Sequence, residues 1–165
     1  MRKQRRSSLL LLGAAAVAVA VVFCSGHSLL SPGLSVRSGP FSGDPLCADV
    51  VSGAPGEVLS WQRDGATGAG TASWGEASVV LRCGVEPMPP TPDLCMNVSG
   101  VDWVLDEDRL EADGVQVLTT YGRTPAVEVT IRDAPGHAGD VLVDMNRPVR
   151  AIPRKSKCLS LDEMS

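Results

Sequence analysis

The chain has 165 residues, with 15 basic and 19 acidic side chains and a formal net charge of −4. Four of the basic residues lie within the first six positions, so the remainder carries 11 basic and 19 acidic residues, a net charge of −8. Binding to nucleic-acid phosphates requires clustered Lys and Arg, and this charge balance argues against a nucleic acid as the partner.

The N-terminal segment is a basic cluster followed by a run from Leu9 to Cys24 without a charged side chain. This layout is typical of a signal peptide or a signal anchor. A helix that crosses the bilayer needs about 20 apolar residues, and this run only just reaches the usable range. Cleavage after Ala20 would leave an apolar overhang on the mature chain, so we favour an uncleaved anchor over residues 1–26.

Such an anchor fixes the topology of the chain. Because basic residues stay on the cytoplasmic side, we expect a single-pass membrane protein with a cytoplasmic N-terminus and its C-terminal domain outside. If the leader is cleaved, the same domain is secreted. Residues 27–43 are rich in Ser, Gly and Pro and predict a stalk, and residues 44–165 predict one disulfide-bearing domain with a single core.

The first predicted element of the domain is a short helix. Asp44 followed by Pro45 is typical of an N-cap and a first helical position, and the helix is expected to end at Gly53. The stretch 64–70 is mostly Gly, Ala and Thr and predicts a loop.

Strands are predicted in the second half of the domain. Four segments rich in β-branched residues are bounded by turn formers, at residues 78–85, 96–105, 115–121 and 126–132. Apolar and polar residues alternate in the second and fourth, which predicts an antiparallel sheet with one covered face. The acidic stretch 106–114 is expected to be a solvated hairpin loop.

The cover of the sheet is predicted to be helical. Ala138, Val141, Leu142 and Met145 recur at helical spacing before Pro148 stops the pattern. The predicted fold class is therefore α+β: a small antiparallel sheet of about four strands covered on one face by two helices, after an N-terminal transmembrane helix and a stalk.

Four cysteines follow the leader, at Cys47, Cys83, Cys95 and Cys158. An even number in an exported domain predicts two disulfides, and four cysteines allow three pairings. The proline-rich loop between Cys83 and Cys95 favours a bridge between these two, which leaves Cys47 with Cys158. Metal ligation is the rival interpretation, but there is no Cys-x-x-Cys pair and there are only two histidines, so we expect no metal and no other cofactor.

No residue pattern demands a particular reaction. His137 lacks an accompanying Gly-x-Ser-x-Gly elbow, and we interpret it as a surface residue at the start of the last helix. Asp102 and Glu128 fall on positions that face away from the predicted core and would be the carboxylates of a cell-wall-directed hydrolase. Solvent-facing positions on a half-exposed sheet are the simpler interpretation of both.

A recognition surface is the second functional hypothesis. Aromatic and arginine side chains lie on or beside the predicted strands, and Trp74, Arg82, Tyr121 and Arg123 are the candidate binding residues for an envelope protein or a wall polymer. Trp103 is in phase with the core. The hypothesis predicts that Tyr121→Ala combined with Arg123→Ala abolishes binding and leaves stability nearly unchanged.

A basic set lies near the C-terminus: Arg147, Arg150, Arg154, Lys155 and Lys157. We interpret it as a solvated tail folded toward acidic surface, with a lipid-headgroup or polyanion site as the alternative.

Several segments carry a family resemblance. Residues 74–75, 81–85, 100–103 and 120–129 resemble an actinobacterial family of exported or membrane-anchored proteins catalogued as domain of unknown function 3515, over essentially the whole of residues 47–158. The resemblance implies a Gram-positive cell envelope and a single N-terminal span, and it brings no established activity. The sequence therefore predicts a membrane-anchored extracytoplasmic protein whose domain is a non-enzymatic binding or accessory module.

Overall fold

The computed structural model describes residues 34–159. The helices are α1 (Pro45–Gly53), α2 (Glu107–Asp113) and α3 (Ala138–Val149). The strands are β1 (Glu57–Val58), β2 (Trp61–Gln62), β3 (Thr71–Trp74), β4 (Val79–Val85), β5 (Cys95–Val98), β6 (Val101–Leu105), β7 (Gln116–Thr120) and β8 (Ala126–Ile131). The main sheet has six antiparallel strands in the order β3-β4-β8-β7-β6-β5, and β1 pairs with β2 in a separate hairpin. The predicted α+β class is confirmed, with six strands in the main sheet instead of about four.

Two features account for the additional strands. The single strand predicted over residues 96–105 is a hairpin of β5 and β6, whose turn residues Ser99 and Gly100 have φ values of 47° and 86°. Two successive positive φ angles are what a tight hairpin turn requires, and glycine adopts them without steric cost. β3 directly follows the predicted loop 64–70 and pairs with β4 as an edge strand.

The core lies between one face of the sheet and the helices α1 and α3. Directly paired residues on neighbouring strands share a face, and Leu81, Val129 and Leu118 form such a row toward the helices. From α3, three of the predicted core positions, Val141, Leu142 and Met145, close this layer together with Val149. Full burial of each large apolar side chain stabilises the fold by about 1.5–3 kcal/mol.

The buried side-chain amide of Asn146 links α3 to the β5–β6 hairpin at the edge of the sheet. Trp103 donates its Nε1 hydrogen to Asn146 Oδ1 at 3.3 Å, and Asn146 Nδ2 donates to the Val98 carbonyl at 2.6 Å. Asn146 is 2% exposed, so its polar atoms depend on these partners.

The helix signals in the sequence are local and the structure follows them closely. Asp44 caps α1 by accepting a hydrogen bond from the Leu46 backbone N–H at 2.9 Å, and the helix ends at Gly53 as predicted. α3 ends at Val149, one residue after Pro148. The acidic stretch 106–114, expected as a loop, contains the short exposed helix α2, because Asp106 caps its N-terminus and Arg109 pairs with Asp113 one turn later at 3.0 Å.

The structure contains two disulfides, but the predicted pairing is wrong. Cys47 is joined to Cys83, with Cα atoms 5.3 Å apart, and Cys95 to Cys158, with Cα atoms 6.2 Å apart. β4 and β5 are four strands apart in the sheet, which at the usual strand spacing is about 19 Å. Cys83 and Cys95 therefore cannot meet, although the loop between them is short.

Residues 34–43 lie against the domain. The Thr67 N–H donates to the Leu34 carbonyl at 2.9 Å, Arg82 Nε donates to the Arg37 carbonyl at 3.0 Å, and the Phe41 N–H donates to the Gly84 carbonyl at 2.8 Å. The residues of the predicted stalk that the structure describes therefore form hydrogen bonds with the domain.

The predicted anchor, residues 1–26, and the start of the predicted stalk, residues 27–33, lie outside the described residues. Between residues 34 and 159, no helix has the length and apolar character needed to cross a bilayer.

Gly84 is where segment 34–43 approaches the sheet most closely. It lies at a register shift in β4 with φ of 85°, and a Cβ atom there would overlap the Ser42 backbone N. We expect Gly84→Ala to lower the free energy of unfolding by about 3 kcal/mol, since a left-handed conformation costs a residue with a Cβ about 1–2 kcal/mol and a forced backbone shift about 1–3 kcal/mol. Urea denaturation measures the difference.

Gly100→Ala is the matched control for this variant. Gly100 has the same sign of φ, 86°, but nothing lies within 4 Å of its Cβ position, so only the conformational cost applies. If both variants lose the same amount of unfolding free energy, the close approach of residues 39–42 to Gly84 adds nothing to the cost of the substitution.

Candidate functional site

The sheet face opposite α1 and α3 carries the candidate site. Strand register places the following side chains on this face: Val80, Arg82, Val104, Val117, Thr119, Glu128 and Thr130. Residues 34–40 and the β4–β5 loop, residues 86–94, both lie over parts of it. The loop must cross the sheet because β4 and β5 are four strands apart. We call the concave surface between these two segments the trough.

An ion pair occupies the middle of the trough. Arg82 and Glu128 are direct partners across β4 and β8, and Arg82 Nη1 donates to Glu128 Oε1 at 2.9 Å. The two side chains are 26% and 18% exposed, so solvent still screens the pair and its net contribution to stability is about 0–1 kcal/mol. The hydrogen bond from Arg82 Nε to the Arg37 carbonyl holds the guanidinium in place. The pair divides the trough into two halves of different charge.

One half is acidic and has a concave volume of about 590 Å³. Its floor is apolar, with Val104 and Val117 from the sheet and Met88 from the loop. Its rim carries five carboxylates, at Glu86, Asp93, Asp106, Glu107 and Asp108. Of the ion pairs formed within residues 34–159, none involves these five side chains. We call this part of the trough the acidic half.

The other half is richer in arginine and has a concave volume of about 480 Å³. Arg37, Arg109 and Arg132 line it together with Glu76 and Asp133, and Val80 and Thr130 form its floor. Both halves share Arg82, Val117 and Glu128. The trough is therefore continuous across the central ion pair.

The four residues predicted to form a recognition surface do not lie together. Trp74 is 0% exposed in the helix-covered core, where its Nε1 donates to the Pro55 carbonyl at 3.0 Å. Tyr121 is half-buried. Arg82 is the one of the four that lines the trough. Trp74 and Arg82 therefore lie on opposite faces of the sheet.

Arg123 is also buried, at 5% exposure. It donates to the Ile152 carbonyl and, at 3.3 Å, to the Gly100 carbonyl, so it links the C-terminal segment to the β5–β6 turn. Burial lowers the pKa of Arg123 below its ordinary value, and Arg154 and Arg150 lower it further, while Asp102 raises it. The printed hydrogen bonds of Arg123 thus go to the backbone of two segments that are far apart in the sequence.

The residues of the hydrolase hypothesis are separated. Asp102 and Glu128 lie on the same sheet face, as their strand phase predicts, but β7 lies between their strands and Asp102 is two residues further along β6. Strand spacing and rise then put their Cα atoms about 12 Å apart. Asp102 is 3% exposed and accepts hydrogen bonds from Asn97 Nδ2 and the Cys158 N–H. His137 precedes α3, and its ring Nδ1 lies 3.2 Å from Asp140 Oδ2.

A metal centre does not emerge from the geometry either. Within the part of the chain that the structure describes, no group of three His, Cys, Asp or Glu side chains is arranged to hold a metal ion.

Sequence reasoning missed the trough because its walls come from non-local contacts. Strand phase alone could have identified the floor, since Val104, Val117 and Thr119 alternate with core residues along their strands. The position of loop 86–94 follows from the strand order, which no local pattern in the sequence reveals.

Comparison with known protein families identifies one relationship. A family model described as protein of unknown function (DUF3515) matches residues 9–157. The chain belongs to this family. The DUF3515 match covers the whole sheet, three of the four disulfide cysteines, and the entire uncharged run from Leu9 to Cys24. Neither the curated proteins nor the solved structures contain a significant match to the chain.

Proposed function

We propose that this DUF3515 protein is a membrane-anchored, extracytoplasmic binding module of the cell envelope that recognises a partner through the trough. The observation that carries the proposal is the asymmetry of the sheet. The helices α1 and α3 pack on one face, whereas the other face keeps a continuous concave surface with apolar, hydroxyl and charged side chains. Such a combination of an apolar floor and a few fixed polar groups is typical of binding sites.

The proposed location rests on two features of the chain. The basic and apolar leader has the layout of a signal anchor, and most of it lies within the family match. The four cysteines of the domain form two disulfides, and disulfides form and persist in oxidising compartments outside the cytoplasm.

A non-enzymatic role agrees with the geometry of the polar groups. The carboxylates of Asp102 and Glu128 lie far from each other, and the Glu128 carboxylate is paired with Arg82. This separation supports the binding role over the hydrolase hypothesis.

Photo-crosslinking in intact cells tests the proposal. A photoreactive amino acid at Thr119, on the floor of the trough, is expected to give a discrete crosslinked species with an envelope component. The matched control is the same amino acid at Val143, which is 52% exposed on α3 and lies on the opposite side of the domain. Crosslinks from Val143 without crosslinks from Thr119 would contradict the proposal.

A further inference from the structure

We infer that the acidic half of the trough binds an extended basic segment of a protein partner. The inference deepens the proposed function and rests on it. It starts from an imbalance of charge: the rim contributes five carboxylates and the centre contributes one more, at Glu128. The single cation that lines this half is Arg82, which already pairs with Glu128. None of the salt bridges found among residues 34–159 neutralises a carboxylate of the rim.

The positions of the rim residues concentrate their charge over one surface. Glu86 and Asp93 come from the two ends of loop 86–94. Glu107 and Asp108 come from the first turn of α2, which lies next to the Asp93 end of the loop, since the Leu105 N–H donates to the Leu94 carbonyl at 3.1 Å. All four side chains are exposed. Clefts lined by charge of one sign focus the electrostatic potential and attract ligands of the opposite sign.

The floor determines which kind of cation fits. A small inorganic ion needs several oxygen ligands around one point, and no such group exists among residues 34–159. The floor is instead apolar at Val104, Val117 and Met88, with the hydroxyl of Thr119 beside them. A ligand that fits both rim and floor carries basic groups next to apolar ones.

The shape favours an extended chain. The concavity of about 590 Å³ has the size of a ligand cleft, and it continues past Arg82 and Glu128 into the second half. A peptide whose alternate side chains point to opposite sides can place apolar residues on the floor and Lys or Arg against the rim. Anionic wall polymers would be repelled by the same rim, which is why the proposal names a protein segment.

Peptide binding to the full-length chain in detergent micelles tests the inference. The probe is a fluorescently labelled peptide of about eight residues in which lysine alternates with valine and threonine, compared with the same peptide carrying glutamate for lysine. We expect the lysine peptide to bind at least about tenfold more tightly, and we expect added salt to reduce this difference. Empty micelles provide the blank.

Two variants with the same change in net charge distinguish binding at the rim from a general effect of surface charge. The rim variant combines Glu86→Gln, Asp93→Asn, Glu107→Gln and Asp108→Asn and keeps Asp106 as the helix cap. The control variant combines Asp49→Asn, Glu111→Gln, Asp140→Asn and Asp144→Asn, all exposed and none in the trough. The rim variant is expected to weaken binding of the lysine peptide about tenfold, and the control variant less than about twofold.

Equal weakening in the two variants, or equal affinity for the two peptides, would overturn the inference. Thermal melting of both variants checks that each is still folded, so that weaker binding is not caused by unfolding. Crosslinks from Thr119 that persist in the rim variant would leave the proposed function intact and overturn the basic segment as occupant. Absence of all crosslinks from Thr119 would instead overturn the proposed function.

Discussion

Replacing Cys47 and Cys83 together by alanine is expected to lower the free energy of unfolding by about 4 kcal/mol. The bridge joins residues 36 positions apart, and closing a loop of that length removes conformational entropy from the unfolded chain by about this amount. The second bridge, between Cys95 and Cys158, spans 63 positions and is expected to contribute slightly more. Guanidinium denaturation of each double variant measures the losses separately.

Reduction of both bridges has a larger consequence. A total loss of about 8 kcal/mol is comparable with the entire stability of a typical domain, about 5–15 kcal/mol, so the reduced protein should be unfolded or nearly so at 37 °C. Peptide mapping of the non-reduced protein checks the pairing directly. Recovery of a peptide that links Cys83 to Cys95 would contradict the structure, since these residues lie on strands four positions apart.

Arg123→Ala is expected to lower the free energy of unfolding by about 3 kcal/mol. Hydrogen bonds to a charged donor contribute about 1.5–3 kcal/mol each, and Arg123 donates to two backbone carbonyls, those of Ile152 and Gly100. Truncation leaves these carbonyls without their donor and opens a space at a position that is 5% exposed. Chemical denaturation monitored by tryptophan fluorescence measures the effect.

Arg147→Ala is the control for this variant. Arg147 is exposed in the last turn of α3, so its replacement should change stability by less than about 0.5 kcal/mol. The comparison also decides between two roles for Arg123. Unchanged stability together with loss of a partner would support the recognition surface that includes Tyr121 and Arg123, whereas a stability loss without loss of the Thr119 crosslink assigns Arg123 to the fold.

Local signals in the sequence predict local structure well. The cap and proline at Asp44 and Pro45 define α1 to the residue, and the spacing of Val141, Leu142 and Met145 predicts α3, because both depend on interactions within a few residues. The same holds for the strand phase that puts Asp102 and Glu128 on one face.

Features that depend on the order of the strands in the sheet could not be predicted from the sequence. The disulfide pairing follows from which strands are neighbours, and a short sequence distance between Cys83 and Cys95 is misleading when the connecting loop crosses the three strands between β4 and β5. The sequence suggests Trp74 and Arg123 as residues of a recognition surface because aromatic and arginine side chains are common in binding sites. Their burial depends on contacts with Pro55 and Ile152, residues 19 and 29 positions away.

The packing of residues 34–43 sets the smallest chain that can reproduce the domain and its trough. A chain that began at Asp44 would leave the Thr67 N–H without the Leu34 carbonyl that accepts its hydrogen bond. It would also uncover part of the trough, because residues 34–40 lie over one side of it. A truncated version for binding experiments therefore has to keep the chain from Leu34 onward.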